Sequence, residues 1–286
     1  SLGELSSLVE LYLYSNELRG ALIDVVLSAS ITSVNIGYNA FTGTFPLSLL
    51  NGGNVNYLYL NNNAFGGPLP DELGEFTKLF GLDVGGNSFT GTLPTALTRL
   101  TSIQLLILAG NGFVGDVSSL FASGGFNQSL VTLDLSNNGF SGSLPNALFS
   151  SSTLITFVGA QNCFTGVLTS ELCNAVNLKV LDLSGMTSGD DCSKRYNGIV
   201  LDFYTVSYVG GGIPSCLLSS MPELLALYLS GNGLLSQLSD ITLSSKLINI
   251  SLSYNRIHGI IPLSIQQKRE LRYLDLSYNR ISGTIT

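Results

Sequence analysis

Short runs in which apolar and polar residues alternate recur along the whole chain at almost constant spacing. Each run has the form L-x-L-x-x-N, as in 133-LDLSNN-138, where two apolar residues stand two positions apart and an asparagine follows. Alternation with a period of two predicts a short β-strand that buries one of its faces. The asparagines of these runs are Asn16, Asn39, Asn63, Asn87, Asn111, Asn138, Asn162, Asn232, Asn255 and Asn279.

The spacing of these asparagines reveals an internal repeat. Their residue numbers rise in steps of 23 or 24, except between Asn111 and Asn138 and between Asn162 and Asn232. Met186 stands one ordinary step after Asn162, where another asparagine is expected, and leaves a step of double length before Asn232. A period of about 24 residues predicts eleven stacked structural units, here called rungs, one of which carries an insertion of about 22 residues.

Each slot of the longer pattern L-x-x-L-x-L-x-x-N-x-F-x-G-x-x-P has a physical role, which 130-LVTLDLSNNGFSGSLP-145 illustrates. Asn138 is expected to bond backbone groups that are buried where the chain bends. Phe140 fills the interior, and Gly142 permits a backbone conformation that a side chain resists. Pro145 opens a helical or 3₁₀ turn on the far side. Stacking is required because one rung cannot bury its apolar face alone.

These motifs resemble those of the leucine-rich-repeat superfamily. The F-x-G-x-[IL]-P half is similar to the plant-type extracellular subclass found in receptor ectodomains and in secreted inhibitors of cell-wall-degrading enzymes. The resemblance implies an α/β solenoid, a right-handed superhelix with a parallel β-sheet on its concave face and about eleven rungs of about 24 residues each. It implies one domain over residues 1–286, cut inside repeats at both ends, with residues 187–210 as an island insertion.

Composition narrows the possible partners. The chain of 286 residues has a formal net charge of −7, so nucleic acid is a poor partner because phosphate binding depends on lysine and arginine. It contains no run of eighteen apolar residues, and we therefore expect no membrane span in this segment. No signal peptide is visible, and we expect a targeting segment to lie outside these residues of a longer chain.

Candidate catalytic groups are sparse. The one histidine, His258, occupies a slot where other rungs carry Thr, Ser or Val, which favours a solvated turn residue. The cysteines lack paired C-x-x-C spacing, and 209-VGGGIP-214 lacks the lysine of a phosphate loop. We therefore predict that the chain is not an enzyme and has no cofactor and no metal site.

The exposed strand positions form columns across the rungs and supply the predicted partner-binding site. Tyrosines cluster in the first three rungs, and tyrosine combines apolar area with a hydrogen-bonding hydroxyl. The alternative is that tyrosine simply suits an exposed strand. The predicted concave-face residues are Tyr12, Tyr14, Tyr38, Tyr57, Tyr59, Asp83, Asp134, Asp182 and Tyr228.

Four cysteines lie close together around the irregular rung at Met186. Neighbouring rungs are about 4.8 Å apart, which a disulfide can bridge. The favoured pairs are Cys163–Cys192 and Cys173–Cys216, and the alternative pairs are Cys163–Cys173 and Cys192–Cys216.

Two further features of the sequence bear on the compartment of the protein and on its insertion. The even number of cysteines and the glycosylation sequons at Asn127 and Asn249 indicate an oxidising, extracellular or secretory compartment. Within the island, Tyr196, Tyr204 and Tyr208 are predicted to anchor either a structural strap or part of a ligand site.

We therefore predict an extracellular, cell-surface or secretory-lumen module that recognises a protein or glycan ligand through its concave face. One alternative is a structural subunit of a wall, matrix or fibre, assembled with copies of itself or with other subunits. The other alternative is the ectodomain of a membrane receptor, which requires a span outside this segment.

Overall fold

The computed structural model describes residues 2–122, 126–186, 192, 209–238 and 242–285. These residues belong to two compact units, Ser1–Asn138 and Gly139–Thr286. The prediction of a single domain over residues 1–286 stays a prediction. The three island residues Tyr196, Tyr204 and Tyr208 lie outside the described residues.

The first unit contains eleven described strands, each of three to five residues. They are β1 Glu10–Tyr12, β2 Arg19–Ala21, β3 Ser33–Asn35, β4 Ala40–Gly43, β5 Tyr57–Tyr59, β6 Ala64–Gly67, β7 Gly81–Asp83, β8 Ser88–Gly91, β9 Leu105–Ile107, β10 Gly112–Asp116 and β11 Thr132–Asp134. The odd-numbered strands form the principal parallel sheet in chain order, and the even-numbered strands form a second sheet.

The second unit repeats this arrangement with greater irregularity. Its described strands are β12 Gly139–Gly142, β13 Thr156–Val158, β14 Cys163–Phe164, β15 Gly166–Val167, β16 Val180–Asp182, β17 Val209–Gly210, β18 Ala226–Tyr228, β19 Asn249–Ser251, β20 His258–Ile260, β21 Tyr273–Asp275 and β22 Arg280–Ser282. Five of them, β13, β16, β18, β19 and β21, follow one another in a parallel sheet, and the others form short pairs.

Short helices run on the side opposite the principal strands. Prolines at positions such as Pro70, Pro94 and Pro145 directly precede them, as the sequence predicts. The α-helices are α1 Ser118–Ala122, α2 Ser215–Ser219 and α3 Leu263–Gln266. The 3₁₀ helices are Leu2–Glu4, Leu47–Leu50, Asp71–Glu75, Thr95–Arg99, Phe126–Gln128, Asn146–Ser150 and Ser170–Asn174.

The period-two pattern determines which strand residues are buried. In the principal sheet of the first unit, the central leucines Leu58 and Leu82 pair in register and are both 0% exposed. Their strand neighbours, such as Tyr59 and Asp83, point to the opposite, accessible face. The alternation therefore produces a dry interior and one outer face of polar and aromatic side chains.

The bend asparagines form a hydrogen-bonded ladder, as predicted. The Nδ2 of Asn87 donates to the carbonyls of Leu60, Val84 and Gly85 at 3.1, 3.0 and 3.2 Å. Its Oδ1 accepts the backbone N–H of Phe65 at 3.1 Å. One amide thus satisfies backbone groups in its own rung and in the preceding rung, where water is excluded.

A phenylalanine stack runs beside this ladder in the first unit. Phe41, Phe65, Phe89 and Phe113 follow one another with ring centroids 6.2, 6.3 and 6.2 Å apart and interplanar angles of 16°, 11° and 4°. The rings are nearly parallel because each occupies the same slot in successive rungs. Together with the leucines they form the interior of the unit.

Met186 occupies the asparagine slot of the irregular rung and is 0% exposed. Its backbone N–H still donates to Oδ1 of Asn232 at 2.9 Å, but its thioether has no N–H with which to donate to the preceding rung. The disulfide Cys163–Cys192 links the residue after Asn162 to the insertion, with Cα atoms 5.4 Å apart. A covalent bond therefore holds the chain close to the place where the amide is missing.

The second disulfide joins Cys173 and Cys216, whose Cα atoms are 6.1 Å apart. It connects the 3₁₀ helix Ser170–Asn174 to α2, on the helical side of the second unit. Both bridges match the pairing that the sequence favours rather than the alternative pairing.

The sequon at Asn127 lies in a buried part of the described chain, and its glycosylation stays a prediction. Asn127 lies in the 3₁₀ turn Phe126–Gln128 and is only 3% exposed. Its Nδ2, the atom to which a glycan attaches, donates to the carbonyl of Phe121 at 3.2 Å.

Candidate functional site

The principal sheet of the first unit presents an accessible face that carries most of the predicted binding residues. Strand register places Tyr12, Asn35, Tyr59, Asp83, Ile107 and Asp134 in one continuous column. We call the accessible residues around the first three rungs of this sheet the tyrosine face; its tyrosines are Tyr12, Tyr14, Tyr38, Tyr57 and Tyr59.

Four of these five tyrosines are exposed to solvent although their rings are largely apolar. Tyr12, Tyr14, Tyr38 and Tyr57 are 53%, 54%, 58% and 41% exposed, whereas Tyr59 is half-buried. Exposed aromatic rings on neighbouring strands form a contiguous surface that can be desolvated by a partner.

The rings are organised by contacts with one another. The centroids of Tyr57 and Tyr59 are 6.3 Å apart at an interplanar angle of 23°, and Tyr57 lies 6.2 Å from Phe80. Gly81 makes this arrangement possible, because a Cβ at that position would lie 2.8 Å from Cδ1 of Tyr57. Phe80 is a site residue that the sequence pattern missed, since it stands one position before its strand begins.

Tyr38 extends the tyrosine face from an unusual backbone conformation. Its φ is 53°, in the left-handed region that side chains with a Cβ seldom adopt. The equivalent slot, directly before the bend asparagine, holds Gly86 and Gly110 in later rungs, also at positive φ. The rung geometry imposes this conformation, and at Tyr38 it directs an aromatic ring outward.

Carboxylates adjoin the tyrosines. Burial raises the pKa of Asp83, and the nearby Asp134 carboxylate raises it further, although the backbone N–H of Gly85, at 2.8 Å, partly offsets both effects. Burial also raises the pKa of Tyr59, with contributions from Tyr57 and Asp83. The six principal strands of the first unit, all within the described residues, contain Glu10, Asp83 and Asp134 but no lysine or arginine.

The two remaining predicted residues, Asp182 and Tyr228, lie in the second unit. They pair directly across β16 and β18. Both line a hollow of about 420 Å³ together with Ser184, Asn249, Ser251 and Tyr273. Sequence reasoning did not single out this hollow, because it depends on small side chains at one rung lying between tyrosines at the rungs on either side.

Two absences among the described residues concern metal binding and membrane spanning. Within the described ranges, no group of three or more His, Cys, Asp or Glu side chains is placed to hold a metal ion. The helices found in that part of the chain are also too short or too polar to cross a bilayer.

Comparison with known families identifies the repeat. The Leucine rich repeat model matches residues 222–281, and a second Leucine Rich Repeat model matches residues 54–76 and 129–151. Together with the asparagine ladder and the parallel sheets, these matches identify the repeats as leucine-rich repeats, which form about eleven rungs of an α/β solenoid fold. No curated protein sequence matches it.

Similar solved structures indicate which subclass of leucine-rich repeat the chain contains. The ectodomain of the Arabidopsis thaliana receptor kinase GASSHO1/SCHENGEN3, in complex with CASPARIAN STRIP INTEGRITY FACTOR 2, is 28% identical with a TM-score of 0.77 over 99% of this chain and 31% of its own. The Arabidopsis receptor kinase HAESA, in complex with the peptide hormone IDA and the co-receptor SERK1, is 28% identical with a TM-score of 0.74 over 97% of this chain and 43% of its own.

A third solved structure that resembles this chain is also that of a plant receptor. The plant peptide hormone receptor RGFR1, in complex with RGF2, is 29% identical with a TM-score of 0.75 over 98% of this chain and 45% of its own. The repeats of the present chain are therefore of the plant extracellular type. The chain spans 31–45% of the lengths of these three proteins.

Proposed function

We propose that the chain is a non-catalytic extracellular recognition module that binds a peptide or protein segment on its tyrosine face. The observation that carries this proposal is the contiguous group of exposed tyrosines on three neighbouring rungs. Burying such rings in an interface releases water from a large apolar area while their hydroxyl groups still find hydrogen-bond partners. Interface hot spots are enriched in tyrosine for this reason.

The shape beside the tyrosines favours an extended segment. Gly85 is buried, and with Ala109 it leaves a low floor on the rungs that follow Tyr59. A peptide backbone can lie across such a floor while its side chains contact the aromatic rings. The receptors HAESA and RGFR1, to which this chain is similar, are described in complex with IDA and RGF2 respectively.

Electrostatics favours a ligand that carries cationic side chains. Glu10, Asp83 and Asp134 give the six strands a negative charge, and no lysine or arginine in those strands offsets it. A lysine or arginine of the partner would neutralise Asp83 and Asp134 and could also lie against the ring of Tyr59. Charge complementarity of this kind raises association rates and selects among partners.

The cysteines and the similar structures support an extracellular or secretory compartment. Two disulfides form and persist in an oxidising environment, and the similar structures are receptor ectodomains. We place the chain outside the cell or in the secretory lumen, as the recognition part of a receptor-like or secreted protein.

The test uses the partner that the purified chain captures, by cross-linking, from the extracellular fluid of its source cells. The captured protein or peptide is then titrated against the triple variant Tyr12→Ser, Tyr38→Ser, Tyr59→Ser. We expect the affinity to fall at least about tenfold, because hot-spot tyrosines each contribute more than about 1 kcal/mol.

A matched control replaces exposed tyrosines of the second unit. Tyr254 and Tyr278 are 49% and 62% exposed and stack on each other at 4.1 Å, but they do not belong to the proposed site. The double variant Tyr254→Ser, Tyr278→Ser should bind as the unmodified chain does. Unchanged binding by the first-unit triple variant would refute the proposed site.

A further inference from the structure

The hollow in the second unit is lined by residues of four consecutive strands, β16, β18, β19 and β21. Tyr228 of β18 and Tyr273 of β21 stand on either side of β19, which carries Asn249 and Ser251. The strands that carry the two tyrosines are two strand spacings apart, a distance of about 9.6 Å. Asn249 is in register with Ala226 and Tyr273, and Ser251 is in register with Tyr228 and Asp275. The two tyrosines therefore lie diagonally across the short side chains of β19 and border a hollow of about 420 Å³.

The lining combines aromatic surface with hydrogen-bonding groups. Tyr273 is 49% exposed and Tyr228 is half-buried, so each presents part of its ring to the hollow. Asp182 closes one side, and its Oδ1 accepts the backbone N–H of Ser184 at 2.9 Å. The hydroxyl of Ser251 lies 2.7 Å from that of Ser230.

The floor of the hollow contains a complete glycosylation sequon, 249-NIS-251. Asn249 is half-buried and faces the hollow, whereas Ile250 between the two polar residues is 1% exposed in the interior. This arrangement contrasts with the sequon at Asn127, whose amide is buried and bonded to the backbone. Of these two sequon asparagines, Asn249 is the more exposed, and it borders the hollow.

We propose that this hollow seats the first sugar of an N-linked glycan carried by Asn249. The N-acetylglucosamine ring has apolar C–H faces that can pack against the rings of Tyr228 and Tyr273, and equatorial hydroxyl groups that can donate to Asp182. Because Asn249 lines the hollow, a sugar attached to its Nδ2 lies next to the hollow from the start.

The seated glycan has a consequence for recognition. It covers the accessible strand face around β18, β19 and β21, so a protein partner cannot use that face. Asp182 and Tyr228, which the sequence places among the partner-binding residues, then contact the chain's own sugar. The tyrosine face of the first unit is left for the ligand.

The experiment compares two enzymatic treatments of the folded glycoprotein, produced in a eukaryotic secretory host. An endoglycosidase that leaves one N-acetylglucosamine gives the trimmed form, and an amidase that removes the whole glycan and converts Asn249 to Asp gives the stripped form. We expect the trimmed form to keep the full thermal unfolding midpoint and the stripped form to lose about 3 °C or more. Intact mass measures occupancy in each sample.

Two variants separate the proposed contact from general effects of the treatment. In Tyr273→Ser, trimmed and stripped forms should unfold at the same temperature, whereas Tyr278→Ser should keep the difference. Asn249→Asp, which has the stripped sequence without enzymatic treatment, should match the stripped form. An unmodified Asn249, equal midpoints for the trimmed and stripped forms, or a difference that survives in Tyr273→Ser would each overturn the proposal.

Discussion

Among single residues, Asp83 is unusual because it places a carboxylate at a half-buried strand position of the repeat. Its neighbours in the column, Tyr59 and Ile107, gain from a half-buried position, but a carboxylate there loses hydration. The nearby Asp134 adds repulsion. A residue that costs stability at a partner-facing position is consistent with a role in binding.

The raised pKa of Asp83 leads to a prediction about stability and pH. Because the folded state disfavours the charged form, folding is stabilised where Asp83 is protonated, and this contribution is lost as pH rises through the folded-state pKa. Asp83→Asn keeps an oxygen for the N–H of Gly85 and removes the charge. We expect its unfolding midpoint in urea at pH 7 to equal or exceed that of the unmodified chain, with the difference vanishing in acid.

The control for this measurement is Asp71→Asn, which replaces an exposed aspartate in the same unit. It should leave the midpoint unchanged at both pH values. A clear loss of stability in Asp83→Asn at pH 7 would show that the carboxylate supports the fold. Titration with the captured partner should show the opposite effect for Asp83→Asn, namely weaker binding.

The asparagine ladder provides a second prediction at this scale. Asn87→Ala removes a partly buried side chain that makes four hydrogen bonds and leaves their backbone partners unpaired. We expect the free energy of unfolding to fall by about 2–4 kcal/mol, measured by urea denaturation. Asn16→Ala is the matched control, because Asn16 is exposed and should cost under about 1 kcal/mol. Equal costs for the two variants would contradict the ladder's role.

At the scale of elements, the second unit holds its irregular rung by covalent bonds. Met186 fills the interior but supplies no amide, and both disulfides lie around this rung. The cross-links lower the conformational entropy of the unfolded chain, and this effect grows with loop length. The loops they close are long, with sequence separations of 29 and 43 residues.

Removing the bridge beside Met186 should therefore destabilise the second unit. We expect the double variant Cys163→Ser, Cys192→Ser to lose roughly 3–4 kcal/mol, the amount that loop-closure entropy implies. Hydrogen–deuterium exchange should show faster exchange in β14 and β16 and unchanged exchange in β5 and β7. Uniformly faster exchange in all four strands would contradict a local role for this bridge.

At the scale of the whole molecule, periodicity explains what could be predicted from sequence. A fixed period places Asn87, Phe89 and Pro94 in equivalent slots, so the strands, ladder and helical turns follow from one rung. The disulfide pairing was favoured but not fixed by the period, because Cys173 and Cys216 lie on the helical side of neighbouring rungs whereas Cys192 lies in the insertion. The tyrosine face was predictable because alternation determines which strand residues point outward.

Two features could not be predicted from the repeat pattern, namely the burial of Asn127 and the contact of Phe80 with the tyrosine face. Asn127 lies in the lengthened interval between Asn111 and Asn138, where an additional turn folds inward and buries it. Phe80 joins the tyrosine face only because Gly81 lets the ring of Tyr57 lie across its strand. Such features depend on packing between rungs, which no single repeat encodes.

Binding of a partner to the tyrosine face of the first unit can be tested by hydroxyl-radical footprinting of the complex. Oxidation of Tyr12, Tyr57 and Tyr59 is measured by mass spectrometry with and without the captured partner. We expect the partner to protect these three tyrosines and to leave Tyr254 and Tyr278 as reactive as before. Protection of Tyr254 and Tyr278, with the first three unchanged, would contradict it.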